Sequence, residues 1–178
     1  MILKKFIAGI LSILIILSNI SVISFAAENS PEIYLNGKKT EFANAPYLDN
    51  IKEILYKNNI YSNVKFRNGI TDIYNLRDYY NHGDIYIDFS IEETYGQAKL
   101  EAISCGKPIL MPNIGNNKYL IHEKNNCLLC SDCYDMSIKA QQLLNDPYFY
   151  NEVSVLNREH IIKHYSYNRI LKIIKEYI

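Results

Sequence analysis

Beyond residue 47 the apolar positions switch repeatedly between helical and strand spacing. Leu48, Ile51, Ile54 and Leu55 recur three and four apart, which predicts an amphipathic helix over 47–58. Asn63-Val-Lys-Phe-Arg is a short strand. Thr71-Asp72 can cap a helix reaching about Tyr80, with Ile73, Leu76 and Tyr80 on one side. Asp84-Ile-Tyr-Ile-Asp-Phe reads as a buried strand, and Glu92 or Glu93 opens a helix carrying Leu100 and Ile103. Gly106 stands where a left-handed helix end is expected, and Pro108 forbids continuation. Lys107-Pro-Ile-Leu-Met-Pro is the next strand. A loop over 113–116, a short helix to His122 and a strand Asn126-Cys-Leu-Leu-Cys follow. Helices over 132–145 and 147–164 come next, and Ser166 caps a last one ending at Ile178. Strand and helix in short alternation predict an α/β fold, a Rossmann-like parallel sheet flanked by helices.

The first residues follow a different pattern. After Lys4 and Lys5 no charge occurs over residues 6–27, and the apolar run ends in Ser24-Phe-Ala-Ala. A basic start, an apolar middle and small residues at −3 and −1 describe a secretory signal over 1–26, cut after Ala26. An uncleaved membrane anchor is the competing reading, since residues 6–27 could just span a bilayer. Residues 27–46 have two readings. Glu32-Ile-Tyr-Leu-Asn-Gly-Lys-Lys-Thr-Glu-Phe can form a hairpin about Asn36-Gly37, as a β-like linker or stalk remnant. Alternatively, Ile33-Tyr-Leu-Asn-Gly is the strand that precedes the helix over 47–58.

Charge narrows the function classes. Lys+Arg and Asp+Glu are both 19, which leaves no basic surface to favour nucleic acid. With 48% hydrophobic residues the chain can build a core, and its length suits one ordinary domain, assigned here to 47–178.

Open parallel sheets bind ligands at the carboxyl ends of their strands. Two such ends are visible. The first is Phe89-Ser-Ile-Glu-Glu-Thr-Tyr-Gly96, where Gly96 permits close backbone approach and the next helix offers unpaired N–H groups to an anion such as a diphosphate. The second is the small-residue loop Pro112-Asn-Ile-Gly115-Asn-Asn117. Glu93 and Glu101 are eight apart, so on one helix both can face the same side. Glu101 lies beside Leu100 and Ala102, where a carboxylate could accept from two ribose hydroxyls; two solvated surface carboxylates are the alternative.

The string DIYIDFSIEETYGQAKLEAISCGKPILMPNIGNNKYLIHEKNNCLL resembles the donor-binding half of retaining GT-B glycosyltransferases. The family pattern is a strand ending in Ser, then Glu-x-Phe-Gly, Glu-Ala, Cys-Gly-Lys-Pro, a Gly-containing loop and an Asn-Gly-Leu-Leu strand. The resemblance covers about 47–178, and NVKF at 63–66 and the terminal YSYNRILKIIKEYI fit its flanks. It implies that Glu93 faces the transferred sugar as the catalytic carboxylate. It further implies that Tyr95, Gly96 and Gln97 form the turn meeting the distal phosphate, that Glu101 holds the ribose, and that Ser90 stands at the strand's exit. Gly115 belongs to the second ligand loop. The substrate implied is a nucleotide-diphosphate sugar, with no metal and no further cofactor. The partner implied is an acceptor-binding domain or chain, because transfer occurs in the cleft between two halves. The family's diphosphate-neutralising Arg…Lys pair has no counterpart before residue 47, and Asn68 occupies the place of an expected Gly. The resemblance therefore implies a half-domain incomplete on its N-terminal side, weak or inactive alone. The segment 32–50 also resembles the small stalk modules of the copper amine oxidase N-terminal-like type, although it has no His ligands for copper.

Cys127-x-x-Cys130-x-x-Cys133 could hold a metal or a Cys130–Cys133 disulfide, but a strand would place Cys127 and Cys130 apart, which favours a structural role. His122 and His160 have no ligand partners on sequence evidence. Tyr79, Tyr80, Tyr148 and Tyr150 are expected to pack rather than stack on sugar. An export signal conflicts with a cytoplasmic nucleotide sugar. The alternative function is therefore an exported, non-catalytic cell-envelope module, with membrane contact only through residues 6–27 if these are uncleaved.

Overall fold

The computed structural model describes residues 33–37, 46–59, 61–68, 72–88, 90 and 96–176. The proposed signal or anchor over 1–26 lies outside these residues. Among the described residues no helix is long and apolar enough to cross a membrane.

Strand β1 (Ile33–Gly37) pairs in parallel with β2 (Val64–Asn68), Ile33 opposite Val64. Helix α1 (Pro46–Lys57) lies between them in sequence. Of the two readings left open for this segment, the parallel pairing is that of strand, helix and strand. A three-stranded parallel sheet follows in the order β3 (Tyr86–Ile87), β4 (Ile109–Pro112) and β5 (Leu129–Cys130). Tyr86 pairs with Ile109, and Met111 with Leu129. This is the expected α/β architecture.

The helices are α2 (Ile73–His82), α3 (Gln97–Ser104), α4 (Asn117–Leu120), α5 (Cys133–Asn145), α6 (Pro147–Tyr165) and α7 (Tyr167–Glu176). Their starts follow side-chain chemistry. Asp72, Asp132 and Asp146 each accept from the backbone N–H three residues on, which satisfies a donor the helix itself cannot. Pro147 adds a first-turn residue whose missing N–H costs nothing there. At the end of α3, Gly106 takes φ +75°, as the sequence requires before Pro108.

The core is centred on β4. Ile109, Leu110 and Met111 are fully buried, with Ala102 and Ile103 of α3, Met136, Ala140 and Leu143 of α5, and Val153 and Ile161 of α6 around them. Two expectations change. Among the described residues of the strand expected over 84–89, only Tyr86–Ile87 are regular, although Tyr86 and Asp88 both donate backbone bonds to the β4 side, at 3.0 and 2.9 Å. The strand expected over 126–130 is confined to Leu129–Cys130, because Glu123–Leu128 coils into 3-10 turns. Buried polar side chains account for that coil. Asn125 Nδ2 donates to Val153 O at 3.3 Å and to Asn157 Oδ1 at 2.7 Å, and Asn157 Oδ1 also accepts from His122 N at 3.0 Å.

Replacing fully buried Asn157 by Ala leaves the His122 N–H without its acceptor and the Asn125 amide with only the longer bond to Val153 O. The expected loss is about 2–4 kcal/mol in urea-unfolding stability. A second prediction concerns Tyr150, whose hydroxyl donates to Asp84 O at 2.8 Å. Burial, then the Asp84 charge, pushes this phenol from its ordinary 10 up to about 12. The folded state therefore favours the protonated phenol. Its contribution is complete below pH 10 and is lost as pH rises from 10 towards about 12. Tyr150→Phe should flatten the alkaline unfolding curve in that window, as followed by circular dichroism.

Candidate functional site

The carboxyl ends of β3 and β4 gather most of the described candidates. Ser90 follows β3, and its Oγ donates to Asp88 Oδ1 at 2.8 Å. Gly96 precedes α3 with φ +66° and ψ +49°, a left-handed conformation that needs glycine. The helix accordingly begins at Gln97, and the expectation that Glu93 and Glu101 face the same side falls on a residue outside those described. Glu93 and Tyr95 lie outside the described residues. Gly115 is left-handed at φ +48° in the loop after β4, and Asn117 closes that loop by donating from Nδ2 to Pro112 O at 2.8 Å.

Lys99, on the first turn of α3, is buried among these loops. Its Nζ lies 2.8 Å from Asp88 Oδ2, with both side chains only 2% exposed, and donates to Asn117 Oδ1 at 2.8 Å. Sequence reading passed over Asp88, Lys99 and Asn117. The signal available was an Asp inside an otherwise apolar strand and a Lys two positions before the Glu-Ala pair.

Gln97 and Glu101 are brought together on the other side of α3. Glu101 Oε1 accepts from Gln97 Nε2 at 3.0 Å, and Oε2 accepts from Tyr80 Oη at 3.1 Å. A carboxylate has about four lone-pair sites, so two bonds orient it and leave acceptor capacity. Burial, then the Glu101 charge, raises the Tyr80 phenol well above its ordinary range, which keeps it a donor. Glu101 borders a cleft of about 430 Å³ between α2, α3 and α6, with Leu76, Leu100, Ile161 and Tyr165 as its less polar walls and Arg77 at its edge. Glu101 is thus not a freely solvated surface carboxylate.

Three other groups of residues divide differently from expectation. Tyr79, Tyr80 and Tyr86 pack edge to edge or tilted, with centroids 6.2 and 5.9 Å apart, and Tyr150 is half-buried, whereas Tyr148 is 82% exposed. His122, His160 and His164 meet across α6, with ring centroids 6.1 and 4.7 Å apart, beside a separate polar hollow of about 370 Å³. Partial burial, then His160, lowers the His164 pKa. Among the described residues no group of three or more His, Cys, Asp or Glu is arranged to hold a metal. Cys127 lies in the 3-10 turns and not in a strand; it and Cys105, Cys130 and Cys133 are free thiols.

A parallel sheet flanked by helices, with left-handed glycines in the loops at its strand exits, is a Rossmann-like α/β domain of the GT-B type. The chain belongs to the group 1 glycosyl transferases, whose family pattern matches residues 16–146. That match begins inside the segment read as an export signal. No curated protein matched significantly. Among solved structures, the chain is similar to sucrose-phosphate synthase from Thermosynechococcus elongatus, with 19% identity and TM-score 0.71 over 98% of this chain and 41% of that one. It is also similar to an S. aureus TarM mutant in complex with fondaparinux, alpha-GlcNAc-glycerol and UDP (20% identity, TM-score 0.66, 95% and 32%). A third similar structure is Anabaena HepE in complex with UDP (19%, 0.68, 80% and 39%). The chain therefore spans about a third to two fifths of these proteins.

Burial, opposed by Lys139, pushes the Cys130 thiol up to about 12, and Cys127 is the exposed member of the group. Iodoacetamide at pH 8 should label Cys127 first and Cys130 last in the folded chain, as read by peptide mass spectrometry.

Proposed function

We propose that this domain binds a nucleotide-diphosphate sugar and serves as the donor-binding half of a retaining glycosyltransferase. The observation that carries the reading is Glu101: its carboxylate is oriented by Tyr80 and Gln97 at the rim of a 430 Å³ cleft. It stands just over one helical turn beyond the left-handed Gly96. In this reading Glu101 accepts from the ribose hydroxyls, and the N–H groups at the start of α3 face the diphosphate. Ser90 and Gly115 border the donor from the β3 and β4 loops, and Tyr95 and Gln97 complete the phosphate turn. Glu93 is assigned to the transferred sugar. No metal or further cofactor is invoked.

Transfer itself requires an acceptor-binding half, supplied by another domain or chain, and the domain alone is proposed to turn over little or nothing. It is assigned to the side of the membrane where nucleotide sugars are made. A non-catalytic envelope module would bind none of them.

Isothermal titration of the chain with UDP and GDP tests the reading. At least one should bind, and Glu101→Gln should weaken it by about 10-fold to 100-fold, the range for a lost charged hydrogen bond. Equal affinity in the variant, or no binding of either nucleotide by the wild type, would overturn it.

A further inference from the structure

The Asp88–Lys99 pair is out of place as a stabilising device. It sits against a core in which Ile109, Leu110, Met111, Ala102 and Ile103 are fully buried. Taking two charges from water costs several kcal/mol for each ion, and apolar residues of similar volume are often at least as stable in such a position. What the pair does provide is connection. Asp88 follows β3, Lys99 lies on α3 and Asn117 opens α4, and the contacts Asp88–Lys99 and Lys99–Asn117 are each 2.8 Å. At one end Ser90 Oγ donates to Asp88 Oδ1; at the other Asn117 Nδ2 donates to Pro112 O, again at 2.8 Å each. The Lys99 stem also fills the space beside Gly96, where an added Cβ would come within 2.9 Å of Lys99 Cδ.

We propose that Asp88, Lys99 and Asn117 form a positioning clip for the nucleoside diphosphate, locking Ser90, the Gly96 turn and the loop after β4 into one rigid cradle. The inference rests on the donor-site reading above. Lys99 is not itself the cation that meets phosphate, because its ammonium is buried and committed to Asp88 and Asn117. Its effect is transmitted through the loops. Ser90, with its proton directed to Asp88, keeps its lone pairs for a hydroxyl of the ligand. Gly96 is held left-handed against the Lys99 stem, with the N–H groups that follow it aimed from a fixed place. Preorganisation of this kind lowers the ordering that ligand binding must otherwise impose.

The test compares Asp88→Leu, Lys99→Met and the double variant, each measured for thermal unfolding and for UDP affinity at a temperature where it is fully folded. Each single variant strands a buried charge and should lose much of its thermal stability. The double variant should recover most of that stability, yet bind UDP about fivefold or more weakly than the wild type. A merely structural pair would recover both. Wild-type affinity in a stable double variant therefore overturns the clip while leaving the donor site intact. If the wild type binds GDP and not UDP, GDP is the probe throughout; a wild-type chain that binds neither overturns this inference through the donor-site reading itself. Should the double variant not fold, Asn117→Ala replaces it: weakened UDP binding by the folded protein supports the clip, and unchanged binding refutes it.

Discussion

A parallel strand buried on both faces must satisfy its backbone through its neighbours, and β4 is where this chain meets that constraint. Ile109, Leu110 and Met111 are wholly enclosed, with β3 and β5 on either edge and α3 and α5 packed close by. Polar groups at the strand ends then find partners within the protein, because an unpaired buried donor or acceptor is costly. Asn117 answers this demand at Pro112 O, and Asn125 and Asn157 meet it deeper in the fold, at Val153 O and the His122 N–H.

The same demand shapes the loops at the carboxyl ends of β3 and β4. The loops leaving β3 and β4 carry glycines in left-handed conformations, which lets their backbones turn sharply without steric cost. Lys99 and Asn117 join those loops beneath the surface, whereas Tyr80 and Gln97 orient Glu101 on the α2 side of α3. One short helix, Gln97–Ser104, therefore presents a clamp towards the loops and an oriented acceptor towards a cleft. Because Gly96 breaks the helix, these two faces begin abruptly at the position where a helix N-terminus can meet an anion.

Membership of the group 1 glycosyl transferases gives this arrangement its setting. Similarity to solved structures at 19–20% identity establishes the shared fold, while the side-chain network around Lys99 is this chain's own. The triad of histidines beside α6 is a further juxtaposition with no metal-holding geometry among the described residues.

By itself the sequence determined the alternation of helix and strand, the cap at Asp72, the left-handed Gly106 and the resemblance carried by Ser90, Gly96, Gln97, Glu101 and Gly115. These features are local: each depends on residues a few positions apart, or on an ordered string. Strand lengths were not legible, because the coil at 123–128 is set by Asn125 meeting Asn157 across 32 positions. Nor was the partnership of Asp88 with Lys99 or of Tyr80 with Glu101, since a charged or phenolic side chain reads as solvated until packing removes the water around it. Tertiary structure decided which polar residues were buried, and burial is what turns a common surface residue into a fixed part of a site.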